Sequence, residues 1–247
     1  MADSRATSFG AEAQNYEAGR PDYPFEAVAW MLETLPVGAH RIADVGAGTG
    51  KLTRVVAAAP GAQVVAIDPD PGMLVALRAS VSGIPTFLGS AESMPLPDDS
   101  LDAVVLGQAW HWVDPVAASR EVGRVLRHGG VLGLIWNLRD ERTEWVAQLS
   151  QIMHPSAAEE MLADADPPVA PPFGALEGES WEWSRSISRE QLHRMASSRS
   201  AVITADIDQR ARIHREMDEL FDSLPFDGGT IDMPYVTKAF RAGRERP

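Results

Sequence analysis

Ile42-Ala43-Asp44-Val45-Gly46-Ala47-Gly48-Thr49-Gly50 decides how this chain is read: a short apolar run closes on an acidic residue and then on three glycines at alternate positions. Leu52, Val55, Val56 and Ala59 follow at helical spacing, and Pro60-Gly61 ends them, so the segment predicts a strand, a tight turn and a helix N-terminus. Glycine is wanted where the backbone turns sharply and where a ligand must reach the main chain without meeting a Cβ. The turn is therefore read as a small-molecule cradle. Dinucleotide folds use G-x-G-x-x-G with a pyrophosphate at the helix N-terminus, but the third glycine position of that pattern falls here on Lys51. Asp44, just before the glycines, would repel a phosphate and attract a cation.

Outward from this loop, residues 63–67 read as a buried strand, continuous in apolar residues as a parallel sheet requires. Strand, helix and strand imply a right-handed crossover. Pro71 opens a helix over 71–80, and 86–88 and 101–106 read as the third and fourth strands. Asp114 and Pro115 start a further helix that Gly129-Gly130 is expected to stop, with His128 capping its C-terminus. Residues 131–136 are the expected fifth strand. This alternation is that of a doubly wound parallel sheet. A polar arm and a helix over 25–35 precede it. After it come a helix over 143–153, a proline-rich loop over 164–173 and a half-exposed strand over 181–187. A helix from Ser188, a long charged helix over 205–224 and a last strand over 230–240, fraying toward helix, complete the reading.

The 247 residues suffice for one substantial core with a lid, and the 45% hydrophobic content is that of an ordinary globule. No run approaches the roughly 18 apolar residues of a membrane span, and the first residues lack a signal peptide's apolar segment, so a cytoplasmic protein without a membrane partner is expected. A net charge of −13 argues against a nucleic-acid partner, whose phosphates call for Lys and Arg. With no cysteine there is no disulfide or thiolate chemistry. No cluster at metal-ligand spacing is apparent, and a metal is not expected. The oligomeric state is not legible.

Asp44-x-Gly46-x-Gly48-x-Gly50 resembles the first motif of the class I S-adenosylmethionine-dependent methyltransferases. Gly107-Gln108-Ala109-Trp110-His111-Trp112-Val113-Asp114 resembles the fourth-strand signature of the methyltransferase type 11 group that includes trans-aconitate methyltransferase-like proteins. Phe9-Gly10 and Arg20-Pro21-Asp22-Tyr23-Pro24 match that subgroup's N-terminal signature. The motifs cover about residues 10–140. The resemblance implies an α/β, Rossmann-like, doubly wound, mostly parallel seven-stranded sheet with its last strand antiparallel. It also implies one domain over 1–247: an N-terminal lid arm and helix (1–40), a cofactor-binding core (41–137), and a C-terminal part with helical additions that completes the sheet (138–247). S-adenosylmethionine is the implied cofactor and a small molecule the acceptor.

For the cofactor, Asp44, Gly46, Ala47, Gly48 and Gly50 form the cradle. Asp68, at the end of the second strand and followed by Pro69, can accept both ribose hydroxyls. Ala91, Glu92 and Gln108 carry over by resemblance, and Met73 either packs on adenine or belongs to the core. For chemistry, transfer of a methyl group needs mainly proximity and exclusion of water, and a hydroxyl acceptor also needs a base. His111, at the carboxyl end of a strand, is the candidate base or else a core histidine; His154 is the second choice. Tyr16, Arg20 and Tyr23 on the arm and Trp110, Trp112 and Trp136 near strand ends are the candidate acceptor contacts. Seven tryptophans either pack the core or suit a ligand with an apolar face and polar edges, such as a sugar. The favoured function is O-methylation of a small sugar, hydroxyl compound or carboxylate. A non-catalytic S-adenosylmethionine-binding regulator is the alternative, and a nicotinamide dehydrogenase is disfavoured by the missing third glycine.

Overall fold

A computed structural model describes residues 20–38, 40–163, 165–197, 202, 206–226 and 228–245. Tyr16 and Phe9-Gly10 lie outside the described residues. The first half runs α1 (Phe25–Leu32), β1 (His40–Val45), α2 (Lys51–Ala57), β2 (Ala62–Asp68), α3 (Pro71–Ser80), β3 (Thr86–Leu88) and β4 (Leu101–Gly107). It continues through α4 (Pro115–Val125), β5 (Leu126–Arg139), α5 (Glu144–Met153), α6 (Ala157–Met161) and β6 (Glu177–Ser188) to α7 (Arg189–Ser197), α8 (Ile207–Asp222) and β7 (Thr230–Gly243). The seven strands form one sheet in the order β3-β2-β1-β4-β5-β7-β6. β7 runs antiparallel to both β5 and β6, while the remaining neighbours pair parallel.

Local chemistry accounts for most boundaries. Asp70 caps α3 by accepting from Gly72 N at 2.8 Å, and Asp114 caps α4 by accepting from Val116 N and Ala117 N, each with proline at the next position. The sheet buries alternate residues on its two faces. Ala43, Val45, Leu132 and Leu134 pack with α4 on one side, and Ile42, Val105 and Ile135 pack with α1 and α2 on the other. A separate cluster joins α5, α7 and α8 to the ends of β6 and β7 through Leu149, Met195, Met217, Phe221 and Tyr235. These helices form a cap over the carboxyl-end side of β5.

Three expectations need correction. The helix opened by Asp114 stops at Val125, not at the glycine pair, because Leu126 already pairs with Leu101 of β4. Gly129 and Gly130 instead lie within β5, where the register shifts, and a Cβ on Gly130 would stand 2.9 Å from Arg127 O and 3.1 Å from Asp102 O. His128 is thus a strand residue and caps no helix. β7 remains a strand from Thr230 to Gly243 with no helical fraying, since both its edges are hydrogen-bonded. Among the described residues no helix is long and apolar enough to cross a membrane.

Candidate functional site

The strand order reverses between β1 and β4, and the crevice outside the carboxyl ends of these strands is where open α/β sheets take ligands. Two adjoining cavities occupy it, sharing Arg20, Gly46, Gly48, Gly107, Gln108 and Ser156. The wider one, about 1150 Å³ including its mouth, runs over β2 and is lined by Asp68, Pro69, Met73, Ala91, Glu92 and His111, among others. The other, about 800 Å³, runs over β1 and β5 toward the cap and is lined by Asp44, Tyr23, Asn137, Arg139, Glu159 and Tyr235, among others.

The three loop glycines all have positive φ, yet each answers a different constraint. A Cβ on Gly46 would stand 2.7 Å from Ala109 Cβ, and one on Gly50 would stand 2.9 Å from Leu77 Cγ. At Gly48 (φ 55°) it would meet nothing within 4 Å, so it would project into the crevice. Gly46 N and Ala47 N donate to Ile67 O at 2.8 and 3.1 Å, anchoring the turn on β2. Gly48 N donates to Asp68 Oδ2 at 2.8 Å.

Asp44 is fully buried beside the turn. Its Oδ2 accepts from Thr53 Oγ1 at 2.5 Å, and its Oδ1 has no hydrogen-bond partner. Burial pushes its carboxyl up to about 7, opposed by the Thr53 hydroxyl. An unmatched buried acceptor costs roughly 1–3 kcal/mol, and a cation brought into the crevice would relieve it. Burial likewise pushes Asp68 up to about 6, opposed by main-chain N–H groups of Asp70 and Gly48. These two acceptors fit a ligand that offers a cation to Asp44 and hydroxyl groups to Asp68. Among the described residues no group of three or more His, Asp or Glu is placed to hold a metal ion.

The carboxyl end of β4 departs from expectation. Gln108 takes a left-handed conformation (φ 55°), and its Nε2 donates to Asn137 O at 2.8 Å. Trp110 is 1% exposed, with its indole N–H donating to Pro168 O, and Trp136 is 0% exposed, with its ring against Phe240. Neither lines the crevice, because both indoles are consumed in the core between β5 and the 165–176 loop. Trp112 does line it. His154, at the C-terminus of α5, lines neither cavity.

His111 lines the wider cavity, but its geometry is wrong for a base. Trp136 Nε1 approaches His111 Nδ1 at 3.4 Å. An indole N–H can only donate, so Nδ1 carries the lone pair and the proton sits on Nε2. Burial, seconded by the charge of Arg20 and opposed by Glu159, also depresses the imidazole to about 3. A group so weakly basic, with its lone pair engaged, is poorly suited to take an acceptor's proton near neutral pH.

Residues unforeseen from the sequence complete the cap-side cavity, among them Asn137, Arg139, Glu159, Met195 and Tyr235. Asn137 and Arg139 share a face by strand alternation past Trp136, a readable signal. Glu159 closes a capping box with Ser156, a second readable signal, and its Oε1 pairs with Arg139 at 2.7 Å. Tyr235 stacks on Trp183 with ring centroids 4.8 Å apart; nothing local foretold it.

A methyltransferase-domain family profile matches residues 43–134. Uncharacterized methyltransferase Rv3342 of Mycobacterium tuberculosis is 42% identical over 243 residues, covering 95% of each chain. This chain belongs to the S-adenosylmethionine-dependent methyltransferases. The malonyl-[acyl-carrier protein] O-methyltransferase of Methylococcus capsulatus is 36% identical to this methyltransferase over 132 residues, 51% of this chain and 48% of that one. The crystal structure of Bacillus subtilis YcgJ matches the methyltransferase fold with a TM-score of 0.54 over 91% of this chain and all of that one, at 22% identity.

Proposed function

We propose that this methyltransferase forms the methyl ester of a small carboxylic acid. In this reading the cofactor lies along the glycine turn. Asp44 takes its ammonium group, the Gly46-Ala47-Gly48 main chain its amino-acid portion, and Asp68 its ribose hydroxyls. Pro69, Met73, Ala91 and Glu92 surround the adenine, and Gln108 closes the junction of the two cavities. The unpartnered Oδ1 of Asp44 and the open space at Gly48, two residues lining the same cavity, support the fit. Bound there, S-adenosylmethionine supplies a methyl group on a cationic sulfur, which an oxygen already carrying charge can take with no proton to be moved.

One observation carries the choice of a carboxylate: among the described residues, the crevice's carboxylates and imidazole are either engaged, as His111 and Glu159 are, or taken by the cofactor in this reading, as Asp44, Asp68 and Glu92 are. His111 has its lone pair engaged by Trp136. Glu159 spends Oε1 on Arg139 and Oε2 on Ser156 N and Oγ. A hydroxyl acceptor would lack its base, whereas a carboxylate needs none and finds Arg20 at the junction of the cavities. The sugar reading loses support because two of its three tryptophans are in the core. A relative named for O-methylating malonyl-acyl carrier protein agrees with oxygen as the atom modified.

The test is incubation with methyl-labelled S-adenosylmethionine and a panel of carboxylic acids, sugars and phenols. A carboxylate product releases labelled methanol in mild alkali. A base-stable product from a sugar or phenol, with the acids inert, overturns the assignment.

A further inference from the structure

His111 borders the crevice, and its Nε2 has no hydrogen-bond partner among the described residues. The other ring nitrogen is committed to Trp136, whose indole is fixed by complete burial and by an edge-on contact with Phe240 at 6.0 Å. Trp112 packs on the imidazole at 4.9 Å between ring centroids and limits its rotation. The tautomer is thereby imposed from the core side: a lone pair on Nδ1 toward Trp136 leaves the N–H on Nε2, on the far side of a ring that borders the crevice. Arg20 borders the same cavity and is close enough for its charge to bear on the ring. The nearby carboxylate, Glu159, has both oxygens occupied and does not compete for the donor.

We propose that His111, locked as the Nε2–H tautomer by Trp136, forms with Arg20 the receptor for one oxygen of the acceptor carboxylate, leaving the other oxygen to the methyl group. The proposal rests on the carboxylate reading above. His111 is then a neutral binding group in contact with the acceptor, and Trp136 is a positioning residue that acts through it. The tautomer decides the sign of the contact. An Nε2 lone pair would repel a carboxylate oxygen, whereas an Nε2–H donates to it, and donation to a charged oxygen is among the stronger hydrogen bonds. Because the ring is neutral, it adds a donor beside the Arg20 guanidinium without setting a second cation against it.

Nitrogen-15 NMR of the His111 ring in the folded protein, free and with S-adenosylhomocysteine, reads the tautomer without reference to activity. The expected result is the Nε2–H form with no titration between pH 6 and 8; Trp136→Phe should mix the two neutral tautomers. An Nδ1–H ring or an imidazolium in the wild type overturns the proposal. In kinetics, His111→Gln, whose amide N–H can stand in for the ring Nε2–H, should keep the acceptor KM within about threefold. His111→Leu should raise it roughly tenfold or more, with the S-adenosylhomocysteine Kd unchanged. Equal behaviour of both variants and the wild type, or a loss confined to the cofactor Kd, also overturns it. If acids are methylated yet the variants match the wild type, the receptor fails and the carboxylate reading survives. If only hydroxyl compounds are methylated, that reading fails and the proposal goes with it, whichever tautomer NMR reports.

Discussion

Asp68 Oδ2 accepts the main-chain N–H of Gly48 at 2.8 Å while its Oδ1 accepts that of Asp70 at the same distance, so one carboxylate ties the glycine turn to the start of α3. Asp68 therefore braces the turn, besides being the proposed ribose contact. Asp68→Ala is expected to weaken S-adenosylhomocysteine binding by about 1.5–3 kcal/mol, the range for hydrogen bonds to a charged group, and also to lower Tm. Asp68→Asn should be no rescue, because its NH₂ would face one of two N–H donors. Calorimetry with thermal unfolding checks both variants, and wild-type affinity in the asparagine variant would contradict the tie.

The loop glycines should separate in mutagenesis. Gly48→Ala has open space for its Cβ and a left-handed backbone costing about 1–2 kcal/mol, so the protein should fold but lose cofactor binding. Gly46→Ala adds a 2.7 Å collision with Ala109 and should destabilise the fold further. Comparing Tm with Kd in each variant decides it; Gly48→Ala binding as the wild type does would place the ligand elsewhere.

Asp44 makes both stability and ligand affinity depend on pH. Burial raises it from 3.8 to about 7, and Asp68 to about 6, so between about pH 4 and 7 the folded chain holds protons that the unfolded chain has released. Their contribution to stability in the ligand-free protein accordingly falls as pH rises through that window. A ligand cation favours the ionised form of Asp44. Affinity for S-adenosylhomocysteine should then climb from pH 5.5 to 7, by up to about tenfold per unit for each proton released, and level off above. Calorimetry in buffers of different ionisation enthalpy should detect proton release at pH 6 and little at pH 8. Asp44→Asn should remove the dependence, and a flat profile in the wild type would sink the assignment.

What the sequence disclosed was mostly local. The glycine turn, Pro71 at the start of α3, the Asp114-Pro115 cap and the strand before each write their geometry in neighbouring residues, whereas the Asp70 cap showed only in the structure. The start of β5 at Leu126 was hidden because it depends on pairing with Leu101, a partner 25 positions away. His111 and the tryptophans were visible as types but not as directions. Whether an indole at a strand end faces a crevice or the core depends on packing such as that of the loop around Pro168 over Trp110, which no spacing rule encodes. The cap-side wall was hidden for the same reason, since Met195 and Tyr235 reach the crevice from α7 and β7.

Asn137 holds the segment 20–24 to the sheet. Its Nδ2 donates to Asp22 O at 3.1 Å, its Oδ1 accepts from Thr237 Oγ1 at 2.6 Å, and Trp183 Nε1 donates to the same hydroxyl at 2.8 Å. The side chain of Asp22 also pairs with Lys51 and Arg54 at 3.2 and 3.3 Å, but it is 55% exposed, and exposed pairs are worth about 0–1 kcal/mol. Tyr23 lies so close over Gly107 that a Cβ there would stand 2.7 Å from its hydroxyl, which places Tyr23 beside a residue that both cavities share. Asn137→Ala should therefore speed hydrogen exchange at Asp22 and Tyr23, and slow turnover roughly threefold to tenfold, the equivalent of one hydrogen bond of about 0.5–1.5 kcal/mol. Asp22→Ala, which removes only the exposed pairs, should do less of both. S-adenosylhomocysteine should protect the same amides in the wild type, as expected of a segment that closes over a bound ligand. If Asp22→Ala loosens this segment more than Asn137→Ala does, the ion pairs and not the sheet contact hold it in place, and the link from Trp183 through Thr237 and Asn137 has no part in closing the site.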